Sequence, residues 1–140
     1  MTTPHPNDRA TPGERRLLQA AVILAACVPV LGGLSGVVLG SKLLGANAPD
    51  PVSLDSHVRY LSGLLLGIGL AFWWLVPNIE KATEPFRLMT FLVFLGGLAR
   101  LAGIMVSGIP SPVMLFALPM ELAVTPFLCA WQTSLARRSE

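Results

Sequence analysis

The chain has 140 residues, 53% of them hydrophobic and 13% charged, with a formal net charge of +2. An average soluble domain is about 25% charged, and a short domain leaves much of its surface exposed, so this many hydrophobes cannot all be hidden from water. That composition excludes an ordinary water-soluble domain, and the small, dispersed positive charge excludes a basic nucleic-acid-binding face.

The chain opens with MTTPHPNDRATPG, which is polar and rich in proline, so residues 1–14 read as a flexible tail. A bilayer span needs roughly 20 predominantly apolar residues. Four windows meet that length, at about 17–40, 58–76, 88–106 and 113–132. Pro49 and Pro51 stand in the first connection, with Ser53 and Asp55 as candidate N-caps of the second helix. Pro77 and Pro85 bracket the second connection, and SGIPSP makes a tight third one. Residues 15–135 therefore form one membrane domain, followed by a short tail at 136–140. The fold class is all-α, a bundle of four transmembrane helices.

Orientation follows from the Lys/Arg bias of short loops. Arg9, Arg15, Arg16, Lys81, Arg87, Arg137 and Arg138 collect on one side, whereas Lys42 stands on the other. Both termini are expected to be cytoplasmic, as an even number of spans requires. Trp73, Trp74 and Trp131 lie near the same side, where indoles anchor helices at the interface. The setting implied is a bacterial cytoplasmic (inner) membrane.

Cys27 and Cys129 sit inside apolar runs and read as small buried hydrophobes. The run Leu24-Ala25-Ala26-Cys27 after two arginines also resembles a lipoprotein cleavage site, which would make Cys27 a lipidated terminus. Against that reading, hydrophobicity continues without a break to Gly40.

Lipid supplies no hydrophobic force between helices, so small residues decide where backbones approach. Gly32, Gly36 and Gly40 recur at a spacing of four, as do Gly63 and Gly67, while Gly96 and Gly103 flank Arg100. These are the expected packing stripes, and they carry the span charges toward other helices. Pro29, Pro119 and Pro126 lie within spans and are expected to kink them.

At 1.5 Å per residue, Arg100 lies roughly 9 Å and Glu121 roughly 12 Å below the same surface. The connection between their helices is so short that the two must be antiparallel neighbours. Opposite charges at similar depth on adjacent helices predict an ion pair, since an unpaired charge there is expensive. Arg59 stands at the start of the second span with His57 and Tyr60 beside it, and Asp55 one turn earlier offers a partial partner. Two readings stay open. Arg100–Glu121 is an internal clasp and Arg59 an interfacial anchor, or two arginines against one deep glutamate leave surplus positive charge in an outward-facing pocket for a carboxylate or lipid phosphate. The candidate binding residues are Arg59, Arg100, Glu121, His57 and Tyr60.

HVRYLSGLLLGIGL (57–70), FLGGLARLAG (94–103), GIPSP (108–112) and PMEL (119–122), in that order, resemble the small bacterial four-helix membrane family of domain of unknown function 4345, similar in layout to DoxX-like proteins. The resemblance covers roughly residues 15–135 and implies His57, Arg59, Arg100, Pro110 and Glu121 as characteristic positions. It implies a fold and names no activity.

No nucleophile, histidine and acid stand at catalytic spacing. His57 alone cannot make a metal site, and paired haem-ligating histidines are missing. No catalytic residue, metal or cofactor is expected. The leading expectation is an accessory or scaffold subunit of a larger membrane complex, or a homo-oligomer, surrounded by the lipid bilayer. The alternatives are a binder of an anionic lipid or lipophilic acid, and a small-molecule or proton-coupled transporter, to which a glutamate held by a permanent cation is poorly suited.

Overall fold

The computed structural model of the protein describes residues 10–44 and 51–139. The first nine residues of the expected tail, His5 among them, together with Pro49 and Glu140, lie outside the described residues. Among the described residues the chain is helical, with no strand.

Helix α1 covers Pro12–Leu39 and continues into a 3₁₀ turn, Gly40–Leu44. Helix α2 covers Pro51–Leu75 and ends in a second 3₁₀ turn, Val76–Asn78. Helix α3 covers Thr83–Ser107. Helix α4, Pro112–Ser139, is α-helical over Pro112–Pro119 and Thr125–Ser139 with one π-helical turn, Met120–Val124, between them. All four are long and apolar enough to cross a membrane. The 25 residues of α3 alone extend roughly 37 Å, more than the hydrocarbon thickness of a bilayer.

The helices reach beyond the apolar windows because length follows backbone chemistry as well as hydropathy. Helix α1 starts at Pro12, inside the stretch read as tail, and α2 starts at Pro51 rather than after Ser53 or Asp55. Proline is suited to a first helical position, where its fixed φ is already helical and its missing N–H would have no partner. Asp55 therefore lies in the second turn of α2, where its carboxylate is released for another task. Helix α4 likewise runs on to Ser139, through the residues expected as a C-terminal tail.

The described residues fall into two compact units. One contains the chain up to Ala25 together with everything from Leu75 onward, and the other is Ala26–Trp74. In the second unit, Ala26, Val30, Gly33 and Gly36 are buried along one stripe of α1, and Gly40, at the start of the 3₁₀ turn, is buried after them. Opposite them stand Ser62, Leu66 and Gly69 of α2. A Cβ on Gly33 would come 2.7 Å from the Ser62 carbonyl oxygen, and one on Gly69 would come 3.0 Å from the Val30 backbone nitrogen. In the first unit, Phe86, Thr90 and Gly97 are the buried positions of α3, and Leu128, Gln132, Leu135 and Ala136 those of α4. Cys27 and Cys129, expected to be buried, are only half-buried, because each stands beside an inward stripe rather than on it.

The packing glycines are thus only partly those expected from spacing. Gly36 and Gly40 serve as expected, but Gly32 has only a Leu65 methyl at 3.8 Å. Gly63, Gly67, Gly96 and Gly103 have nothing within 4 Å of a Cβ position. Their neighbours do the packing instead, Ser62 and Leu66 on α2 and Gly97 on α3. One residue along a helix is a rotation of about 100°, so a spacing of four cannot by itself tell an inward stripe from an outward one.

Replacing Gly33 by alanine is expected to destabilise the protein by about 1–3 kcal/mol, because its methyl meets backbone that cannot move aside. Gly63→Ala is expected to be neutral or stabilising, by up to about 1 kcal/mol. Equilibrium unfolding in mixed detergent micelles, followed by circular dichroism, separates the two; equal effects would refute the assignment of packing faces.

Candidate functional site

Arg100 and Glu121 meet as a two-pronged ion pair. Arg100 Nε donates to Glu121 Oε2 at 3.0 Å and Nη2 donates to Oε1 at 2.9 Å. The side chains are 29% and 15% exposed. A planar guanidinium facing a planar carboxylate in this way makes two charge-assisted bonds whose geometry a lysine cannot reproduce.

Local structure places both groups. Pro126 has no N–H, so it cannot close the ordinary helical bond to the Leu122 carbonyl, and its ring crowds that oxygen. The helix responds by widening to a π turn over Met120–Val124, where the Thr125 backbone N–H bonds back to the Met120 carbonyl. Thr125 Oγ1 donates to the same carbonyl at 2.8 Å. Glu121 is the second residue of that turn. Across from it Gly97 supplies the space: a Cβ there would lie 2.9 Å from Glu121 Cβ and 2.7 Å from Leu122 Cδ2. Arg100 follows Gly97 by three residues and so shares its face of α3.

In the other unit Arg59 has its own carboxylate. Its Nε donates to Asp55 Oδ2 at 2.7 Å. Its Nη1 donates to the carbonyls of Val37 and Val38, two of the last acceptors of α1 that have no partner within their own helix. A cation there also opposes the negative end of the helix dipole. Asp55 completes the arrangement by accepting from the Ser41 N–H at 2.8 Å and from Ser41 Oγ at 3.2 Å. Gly40 links the two, with φ +59°, a left-handed conformation that glycine adopts without strain. Arg59 is therefore the C-terminal cap of α1 as well as half of an ion pair.

The expected group of Arg59, His57, Tyr60, Arg100 and Glu121 draws its members from both units. Arg100 and Glu121 are brought together in one unit, and Arg59, His57 and Tyr60 belong to the other. His57 and Tyr60 are exposed, Tyr60 by 65%. Counting two arginines against one glutamate omits Asp55. With it, each arginine is matched by a carboxylate in its own unit, and the surplus positive charge disappears.

A second polar system, not foreseen from the sequence, lies at the ends of α1, α2 and α4 in the first unit. Gln132, fully buried, donates from Nε2 to the Ile79 carbonyl at 2.6 Å and to Thr83 Oγ1 at 3.1 Å. Gln19 Nε2 donates to the Val76 carbonyl at 2.9 Å, and Arg15 Nη2 to that of Pro77 at 3.0 Å. Glu14 accepts from both terminal nitrogens of Arg138 and, at 3.4 Å, from Trp131 Nε1. The only clue in the sequence is a glutamine at the edge of an apolar run; a pair separated by 124 positions leaves no local trace. Among the described residues no group of three His, Cys, Asp or Glu comes together that could hold a metal ion.

Four apolar helices of spanning length, with their deep charges paired, define a small multi-pass membrane protein. The model of the family Domain of unknown function (DUF4345) matches residues 17–132, and the chain belongs to that family. No curated protein matches the chain. No solved structure matches it either.

Removing one member of the Arg100–Glu121 pair strands the other in apolar surroundings, so Glu121→Leu alone is expected to cost about 3 kcal/mol or more. The double variant Arg100→Met, Glu121→Leu is expected to recover most of that loss, because neither charge then needs a partner. A double-mutant cycle on unfolding free energy measures the coupling, and additive losses would show that the pair is not a unit.

Proposed function

We propose that this protein is a non-catalytic subunit of the bacterial cytoplasmic membrane that docks a transmembrane helix of a larger complex against α2. The observation that carries this reading is the pair Gly63 and Gly67, whose Cβ positions meet open space. At 100° per residue, Tyr60, Gly63, Gly67, Leu70 and Trp74 fall within an arc of about 80°. Tyr60, Leu70 and Trp74 are 65%, 48% and 79% exposed. They surround a shallow strip floored by two glycines at a spacing of four.

In lipid such a strip has a specific use. Helices associate there by close backbone approach, and glycine at a spacing of four permits it. Glycine also costs helix stability, about 1 kcal/mol against alanine, so an unfilled glycine in mid-helix needs a reason outside its own helix. A second helix laid along the strip supplies one, with the Tyr60 and Trp74 rings closing over its flanks.

The Arg100–Glu121 pair supports the same reading from the other direction. Both oxygens of Glu121 are engaged by one guanidinium. A carboxylic acid ligand or a transported proton would have to break two charge-assisted bonds to enter, which favours a structural clasp over an exchange site.

The test is association. Purified in a mild detergent, the protein is expected to run as part of a larger, stoichiometric assembly containing a second membrane protein. Gly63→Leu combined with Gly67→Leu is expected to release it while the protein keeps its helicity and unfolds at the same midpoint or a higher one. Retention of the partner by this doubly substituted protein, shown to be folded, would overturn the docking strip. A wild-type protein that purifies alone would overturn the subunit role.

A further inference from the structure

At the end of the first unit opposite the Arg100–Glu121 pair, an open groove of about 640 Å³ runs along α4. Thr90 of α3 lines one side, and α4 lines the other from Pro126 and Cys129 to Arg137 and Arg138. Two of these side chains are chemically unfinished. Thr90 is only 8% exposed, and its Oγ1 is buried with no hydrogen-bond partner. A buried hydroxyl left unpaired costs about 1–3 kcal/mol, and a helical threonine ordinarily avoids this by bonding to its own backbone. Arg137 is exposed and has no ion-pair partner among the described residues, whereas Arg138 beside it is held by Glu14.

The groove also changes character along its length. Its Pro126–Ala130 end is apolar and lies within the span, while its Thr133–Arg138 end carries hydroxyls and two guanidinium groups. We propose that this groove binds an anionic glycerophospholipid of the leaflet faced by the arginine-rich helix ends. The phosphate lies against Arg137, with the Thr133 and Ser134 hydroxyls as further donors. The ester region lies against Thr90, whose hydroxyl, turned into the groove by a change of χ1, donates its unused proton to an acyl carbonyl, and the acyl chain follows Cys129 and Pro126.

Three observations combine here. A volume within the range of ligand pockets admits a headgroup and the first part of a chain. A cation with no ion-pair partner among the described residues suits a phosphate, as basic pockets between membrane helices suit anionic headgroups. The buried donor adds to the charged helix end a hydrogen-bonding group that makes no bond in the lipid-free protein. This inference is independent of the docking strip on α2, which involves no residue of the groove.

Delipidated full-length protein, given phosphatidylglycerol or phosphatidylcholine and examined by native mass spectrometry, reads the site directly. Phosphatidylglycerol is expected to be retained in preference to phosphatidylcholine, and Arg137→Gln is expected to reduce that retention about fivefold. Thr90→Val removes only the hydroxyl; it is expected to lower retention about threefold while the lipid-free protein stays as stable as before, or gains stability. Arg16→Gln removes an exposed charge outside the groove and is expected to leave the lipid preference unchanged. Equal retention of the two lipids, an effect of Arg16→Gln as large as that of Arg137→Gln, or full retention by a folded Thr90→Val protein would each overturn the proposal. Displacement of the lipid by inorganic phosphate at millimolar concentration would reassign the groove to a simple anion site and overturn it equally.

Discussion

A permanent cation inside an apolar span has to be neutralised close at hand, because neither water nor counter-ions reach it there. That constraint organises this protein. Arg100 is met by Glu121 across a single hairpin, and Arg59 by Asp55 within about one helical turn. Each match is made within a single compact unit, so neither unit needs a charge from elsewhere. The backbone adapts to the pairing. The π turn at Met120–Val124 carries Glu121, and Gly97 yields the space that lets the carboxylate approach α3.

The same scarcity of polar partners explains the helix ends. The 3₁₀ turn after α2 and the residue beyond it present the carbonyls of Val76, Pro77 and Ile79 to other segments, and Gln19, Arg15 and Gln132 donate to them from α1 and α4. The last carbonyls of α1 are satisfied by Arg59. Long side chains from other segments therefore replace both solvent and local capping residues. Gln132 shows the strength of this demand, since a fully buried amide in an apolar helix holds two acceptors.

Packing between helices depends on shape rather than on hydrophobic transfer. Lipid chains are as apolar as leucine, so little is gained by covering one more leucine, and many large apolar side chains stay exposed. Close contact is concentrated where glycine or serine lets backbones meet, at Gly33, Gly36 and Gly69 in one unit and Gly97 in the other. Gly63, Gly67, Gly96 and Gly103 take no part in it. Their positions on open faces set them apart from the packing glycines, a distinction that composition alone does not make.

Much of this was legible in the sequence, for definable reasons. The four spans follow from apolar runs of sufficient length. The partner of Arg100 follows from counting residues on both sides of a short hairpin, because rise per residue is nearly constant and a short connection forces antiparallel neighbours. What could not be read was the rotation of each helix about its own axis. Whether Gly63 or Ser62 faces α1, and Gly96 or Gly97 faces α4, is a difference of one residue, and it is settled only when side chains from distant segments interlock. The same holds for the bond from Ser41 to Asp55, a residue read as a cap and as a partial partner of Arg59, and for Glu14 and Arg138, which lie near opposite ends of the chain. Hydropathy and length decided the spans, being additive along the chain; helix faces, shared carbonyls and the long-range ion pair were decided by tertiary structure, because they depend on which surfaces meet.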